Sequence, residues 1–265
     1  MKIALISDIH NGKLIEHRPG EEALGLIREF LEVCKAEDAD CIVELGDRVN
    51  NEDHEHDVLY TEEVMSLFRS SGLPVLNVIG NHDIHNIPKE EDISLLGRSA
   101  PYFYRDLEGY RLVVLDTADP IIGDCGGCLS SSQLSWLQDL LESTPDDLSV
   151  LLFSHHPLAD QEQTGNPFFV NLPGEHTIAD HKSISKIIER YRGKIAGAFN
   201  GHVHWNYLRY QYGIPFFSVA SLTEAYPVTE HAPGRFSMLA IRDRDNMSIT
   251  SEMLSPRRVL GRFDL

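Results

Sequence analysis

The stretch "VLNVIGNHD", residues 75–83, passes from apolar side chains to an amide, an imidazole and a carboxylate across one glycine, Gly80. Its first half reads as a buried strand and its second as the loop that follows. Such a turn is ordinary on its own, but it recurs. "KIALI" (2–6) leads into Ser7-Asp8-Ile9-His10, and "CIVEL" (41–45) into Gly46-Asp47-Arg48. "SVLLF" (149–153) leads into Ser154-His155-His156, and "IAGAF" (195–199) into Asn200-Gly201-His202-Val203-His204. In sheets wound with helices, ligands bind just beyond the carboxyl ends of the strands, so these clusters are expected on one rim.

The runs, with "LVVLD" (112–116) among them, alternate with stretches of helical spacing. Leu24, Ile27, Leu31 and Cys34 form one stripe, Val64, Met65 and Phe68 a second, and Ile184, Ile187, Ile188 and Tyr191 a third. "LSSSQLSWLQDLL" opens on serines suited to an N-cap and carries Leu134, Leu137 and Leu141 on one face. The pattern predicts an α/β fold in which helices cover a sheet, the stripes being core. After residue 205 it changes to alternation and short turns, read as antiparallel or edge strands with "YGIP" as a hairpin turn. Segments 117–130 and 156–180 lack periodicity, and the second is long enough to act as a lid. We expect one domain over residues 1–265, with the basic and apolar 253–265 as a C-terminal arm on its own sheet or across a partner in a homo-oligomer.

The formal charge of -18, from 41 acidic and 23 basic side chains, argues against a surface that tracks nucleic acid or docks on anionic lipid. An anionic substrate then needs a local positive centre, and bound cations are the natural source. No apolar run approaches the roughly 20 residues that span a bilayer. "MKIALISDIH" is too short in its apolar part for a secretory signal, and four cysteines are too few for a disulfide framework. A cytoplasmic location is expected.

In extended backbone, residues i and i+2 point the same way, which would make claws of Asp8 with His10 and of His202 with His204. Gly46, Gly80 and Gly201 allow sharp turns and close approach of backbone to a metal. Two aspartates, one asparagine carbonyl and four histidines make seven N/O donors, more than one closed zinc site uses. A pair of metals fits better, and the borderline donors point to manganese, iron or zinc.

These residues resemble the calcineurin-like metallophosphoesterase family, whose pattern is D-x-H, G-D, G-N-H-D/E, a histidine after a strand, and G-H-x-H. The matching positions are Asp8 and His10, Gly46-Asp47, Gly80 to Asp83, His155, and Gly201 to His204, and the resemblance spans residues 1 to about 220. The motif order is most similar to the bacterial class III branch of cyclic-nucleotide and glycerophosphodiester phosphodiesterases. The resemblance implies a four-layer αββα sandwich of two mixed sheets flanked by helices. It implies one metal on Asp8, His10, Asp47 and His204, and another on Asp47, Asn81, His155 and His202, with Asp47 bridging. His82 would face the substrate as the catalytic histidine beside Asp47, and Asp83 is read either as its orienter or as a plain surface carboxylate.

Two such cations can supply a bridging hydroxide for in-line attack on phosphorus and clamp the phosphoryl oxygens, so no serine or cysteine nucleophile is needed. The expected activity is hydrolysis of small phosphodiesters. Rival readings are a phosphomonoesterase or pyrophosphatase of the same fold, and a non-catalytic scaffold. Arg48 is read as a structural partner of an acid in "NEDHEHD", with phosphate binding as its alternative. Cys125 and Cys128 of "CGGC" read as a loop, and "EDHEHD" (52–57) as a solvated turn. His85, His156 and His181 are read at the pocket mouth, and Phe168 and Phe169 as anchors of the lid.

Overall fold

The computed structural model describes residues 1–159, 161–169, 174–179, 181–226 and 231–265. The predicted runs become β1 (Lys2–Ile6), β2 (Cys41–Glu44), β3 (Val75–Asn77), β5 (Tyr110–Val114), β6 (Ser149–Ser154) and β7 (Ile195–Asn200). Two elements have no counterpart in the sequence reading: α3 (Lys89–Leu95) and the strand β4 (Phe103–Leu107). The other helices are α1 (Ala23–Ala36), α2 (His54–Ser70), α4 (Ser131–Ser143) and α5 (His181–Arg190). The remaining strands are β8 (Tyr207–Gln211), β9 (Ile214–Ser218), β10 (Arg235–Asp243), β11 (Asn246–Met253) and β12 (Arg258–Asp264).

The strands form two six-stranded sheets, ordered β12-β11-β10-β1-β2-β3 and β4-β5-β6-β7-β9-β8. Each mixes a parallel run with antiparallel flanks: β1, β2 and β3 in the first sheet, β5, β6, β7 and β9 in the second. Alternation along single strands accounts for the layers. Ile3 and Leu5 of β1 pack between the sheets with Leu151 and Phe153 of β6. Their neighbours Ala4 and Ile6 face Ile27 and Phe30 of α1 and Val64 and Phe68 of α2. On the far side, Val150 and Leu152 meet Leu137 and Leu141 of α4 and Ile184 and Ile188 of α5. Strands buried on both faces read as continuous apolar runs, so the runs identify strands without revealing which sheet each joins. The result is a four-layer αββα sandwich.

The serine-rich start of α4 behaves as its composition predicts: the Ser130 side chain caps the helix by accepting from the Gln133 backbone N–H at 3.3 Å. The hairpin between β8 and β9 turns at Tyr212 and Gly213, both with positive φ. The expectation of antiparallel or edge strands beyond residue 205 holds for β8, β10 and β11, and β9, antiparallel to β8, also runs parallel to β7 inside its sheet. Within 253–265, β12 pairs antiparallel with β11 at the edge of the first sheet. Residues 160, 170–173 and 180 of the expected lid lie outside the described residues.

Candidate metal centre

All seven expected donors sit at the carboxyl ends of strands. Asp8 and His10 follow β1, Asp47 follows β2 and Asn81 follows β3, all from the first sheet; His155 follows β6, and His202 and His204 follow β7, from the second. The site straddles the seam between the sheets. The predicted claws form differently than extended backbone would make them. Asp8, His10, Asp47, His202 and His204 all lie beyond their strands with left-handed φ values of 50°, 49°, 59°, 67° and 60°. Such conformations cost roughly 1–3 kcal/mol each in non-glycine residues and cluster at functional sites. Paired turns sustain them: Asp8 N–H donates to Gly46 O at 3.0 Å, and His10 N–H to Asp47 O at 3.0 Å. Glycine is required where these turns touch. A Cβ on Gly80 would overlap Asp47 Oδ1, and one on Gly201 would overlap Ser7 Oγ.

The consequence is two centres. Asp8, His10, Asp47 and His204 each bring one donor atom to within 4.8 Å of the others. His10 Nε2 and His204 Nε2 are 3.2 Å apart, and His204 Nε2 is 3.3 Å from Asp8 Oδ1. At the second centre His155 Nε2 lies 3.1 Å from Asn81 Oδ1, 3.2 Å from His202 Nδ1 and 3.2 Å from Asp47 Oδ2. The same Asp47 Oδ2 is 4.0 Å from His10 Nε2, so one oxygen faces both groups. His202 and His204 therefore do not make one claw; they point to different centres. His156 also stands beside His155 and His202, but its two nitrogens are bonded to Thr117 Oγ1 and to Cys125 O, which removes it as a donor.

The outer nitrogens reveal what the inner ones carry. His10 Nδ1 faces Val49 O at 3.2 Å, His155 Nδ1 faces Leu45 O at 2.8 Å, and His202 Nε2 faces Glu175 O at 2.9 Å. Carbonyls only accept, so these nitrogens hold protons, and each ring, when neutral, presents the lone pair of its other nitrogen inward. Ring nitrogens facing one another at 3.2 Å need a proton or a metal cation between them. Burial pulls His10 well below its ordinary range and His202 down to about 3. Burial also opposes charge on His155 and His204, yet Asp47 raises the first to about 9, and Asp8, with Glu224, does the same for the second. A neutral-nitrogen and carboxylate donor set of this kind fits borderline transition metals, and these residues could hold two.

His82 stands at the mouth, its ring 4.8 Å from that of His10, its backbone N–H donating to Asp47 Oδ1 at 2.8 Å. Withdrawal from water lowers its pKa to about 4, with Arg18 contributing to the shift. Asp83 does not orient it. That carboxylate accepts from the backbone N–H groups of Gly80, Arg48 and Asp47 at 2.7, 2.7 and 3.0 Å, which binds the 80–83 turn to the 46–48 turn. Arg48 is structural as expected, but its partners are other acids: Glu44 at 2.9 Å, Asp92 of α3 at 2.8 Å and Asp83 at 3.1 Å, all fully buried. In "EDHEHD", Asp53 caps α2 by accepting from His56 N–H.

Two charged residues at the candidate site have no counterpart in the sequence motifs. Glu224 lies 3.3 Å from His204 Nδ1 and so orients that ring from behind. Arg18 lines the pocket in front of the centres with Asp47, Asn81, His82, His202 and His204, a cavity of about 350 Å³. Neither sits in a motif or beside a strand end, and no local signal separates them from other charged loop residues. Phe168 and Phe169 face the same pocket, with their rings 5.2 Å from His204 and 4.9 Å from His202. Cys125 joins the lining as a thiol whose pKa burial, then Glu175, pushes up to about 12. His85 and His181 do not line this pocket.

A four-layer sandwich with paired N/O donor groups at its seam defines a metal-dependent phosphoesterase. Residues 1–206 match the family described as calcineurin-like phosphoesterase, and the chain belongs to that family. It is 30% identical over 95 residues to the 3',5'-cyclic adenosine monophosphate phosphodiesterase CpdA of Vibrio vulnificus, across 36% of this chain and 31% of that protein. It is 28% identical over 167 residues to a probable cyclic nucleotide phosphodiesterase of Rhodopseudomonas palustris, across 58% of this chain and 54% of that protein. The alignments thus span about a third and about half of these relatives' lengths. In structure it is similar to a dimetal phosphatase from Danio rerio, with a TM-score of 0.77 at 17% identity, covering 99% of this chain and 98% of that one. Among the described residues no helix is long and apolar enough to cross a membrane.

Proposed function

We propose that the protein is a two-metal phosphodiesterase that hydrolyses small diesters, such as cyclic nucleotides or glycerophosphodiesters, in the cytoplasm. The observation that carries this reading is the single oxygen, Asp47 Oδ2, facing both groups of inward lone pairs. Asp8, His10, Asp47 and His204 would hold one ion, and Asp47, Asn81, His155 and His202 the other, with manganese, iron or zinc as occupants. When bound, such ions supply Lewis acidity toward phosphoryl oxygens and an acidified water.

The chain's own groups do the rest. Glu224 and the carbonyls of Leu45, Val49 and Glu175 hold the donor rings in place, so little reorganisation is needed when substrate enters. His82 is neutral at pH 7 and has a buried, unpartnered Nδ1. It donates one N–H toward charge developing on the phosphoryl or leaving oxygen. Phe168 and Phe169 exclude water from the pocket. A second cavity of about 200 Å³ shares Phe168 and His204 with the first and adds Trp205, Tyr226 and Arg235. Two neighbouring cavities that share wall residues would suit a phosphorus atom with two alcohol substituents, which favours a diester over a monoester.

Both relatives carry cyclic-nucleotide phosphodiesterase names, which supports the same choice. The charge of -18 disfavours a polymeric nucleic acid as substrate. The full set of donors disfavours a scaffold without activity. The test is hydrolysis of bis-p-nitrophenyl phosphate against p-nitrophenyl phosphate by manganese-loaded protein, followed by cyclic nucleotides and glycerophosphodiesters. A higher kcat/KM for the diester is expected. Faster cleavage of the monoester would transfer the reading to a phosphomonoesterase.

A further inference from the structure

Two arginines are almost wholly enclosed near the centre, and their surroundings differ. Arg48 has three buried carboxylates within 3.1 Å. Arg18, with a side chain only 11% exposed, has one ion-pair partner among the described residues, the 67% exposed Glu16 at 3.6 Å. Among the described residues its Nε is buried without a hydrogen-bond partner, and its Nη1 reaches only His82 Nε2, at 3.5 Å. Burying a guanidinium with unsatisfied donors is costly, and the one carboxylate paired with Arg18 is the largely exposed Glu16. The backbone around it is held: Arg18 N–H donates to Ile15 O at 2.9 Å, and Gly20 N–H to Arg18 O at 2.8 Å. The guanidinium is therefore carried into the pocket by an ordered loop, with donors to spare.

We propose that Arg18 anchors the substrate by donating to a non-bridging oxygen of its phosphoryl group, using guanidinium hydrogen-bonding capacity that its ion pair with the exposed Glu16 leaves unused. This rests on the phosphoesterase reading and adds to it a charged contact independent of the metals. The planar fork of arginine matches a tetrahedral oxyanion in a way that lysine does not. A reacting phosphoryl group would then lie between the cations on one side and Arg18 with His82 on the other.

The experiment is titration calorimetry of inorganic phosphate into manganese-loaded wild-type protein, Arg18→Gln and Arg18→Lys, with metal content, phosphate-free thermal midpoint and diester kinetics measured alongside. Loss of a charged hydrogen bond predicts phosphate affinity at least about tenfold weaker in Arg18→Gln. Arg18→Lys should fall between, since it keeps the charge and loses the fork. KM for the diester should rise more than kcat falls, with metal content unchanged. Wild-type affinity for phosphate in either variant overturns the proposal, as does loss of metal and thermal midpoint in both variants together. If wild-type protein binds phosphate through Arg18 yet cleaves no ester, the anchor stands and the hydrolase reading fails.

Discussion

Asp47 and His82 stand 35 positions apart in the chain and meet through one backbone N–H, yet their replacement should have different effects. Asp47→Asn weakens the one carboxylate oxygen that faces both centres, so bound metal and turnover should fall together, by elemental analysis and by diester hydrolysis. His82→Ala removes a ring that faces the pocket from outside the donor set. Metal content should persist while kcat falls by about 10²–10⁴-fold, the usual scale of a positioned proton donor. Full turnover in metal-loaded His82→Ala protein would remove His82 from the mechanism. The motif residues were legible from sequence because each directly follows an apolar run. The left-handed backbone that aims them was not, since only the contact of the turns after β1, β2, β3 and β7 sustains it. The assignment of Asp83 to His82 failed for a related reason: adjacency suggested a pair, whereas three backbone donors from both turns claim the carboxylate.

At the level of elements, α3 buries its one enclosed side chain against a buried arginine. The helix has seven residues, "KEEDISL", with Asp92 as its one buried residue. Asp92 joins Glu44 and Asp83 around Arg48, so the guanidinium connects the end of β2, the 80–83 turn and α3. Arg48→Ala would leave three fully buried carboxylates unpaired and should destabilise the protein by about 3–5 kcal/mol, read from the urea midpoint. A loss under about 1 kcal/mol would mean that the acids protonate or rearrange at little cost. Helix α3 was not legible because a charged heptapeptide shows no apolar stripe. Strand β4 was missed because its central Tyr104, Arg105 and Asp106 are exposed on a sheet edge, where two-sided burial no longer marks a strand. By contrast α1, α4 and α5 each bury one face against a sheet, and their stripes were plain.

For the whole molecule, the centre works as a clasp: Asp8, His10, Asp47 and Asn81 come from one sheet, and His155, His202 and His204 from the other. Ions bound there join the two halves of the sandwich and bind only the folded state. Metal at a hundred times its Kd should add about 2.7 kcal/mol of stability for each site filled, and stripping it with a chelator should lower the thermal midpoint accordingly. A midpoint indifferent to metal would show that the sheets do not depend on the clasp. By itself the sequence determined the layered α/β class, the strands of the core and the candidate donor residues, because burial and chemical identity are written locally in runs and in polar clusters at their ends. Only the tertiary structure decided how the strands divide into two sheets, which donors share a centre, and that Glu224 and Arg18 belong to the site. Those depend on contacts between residues far apart in the chain, and neither periodicity nor spacing carries that distance.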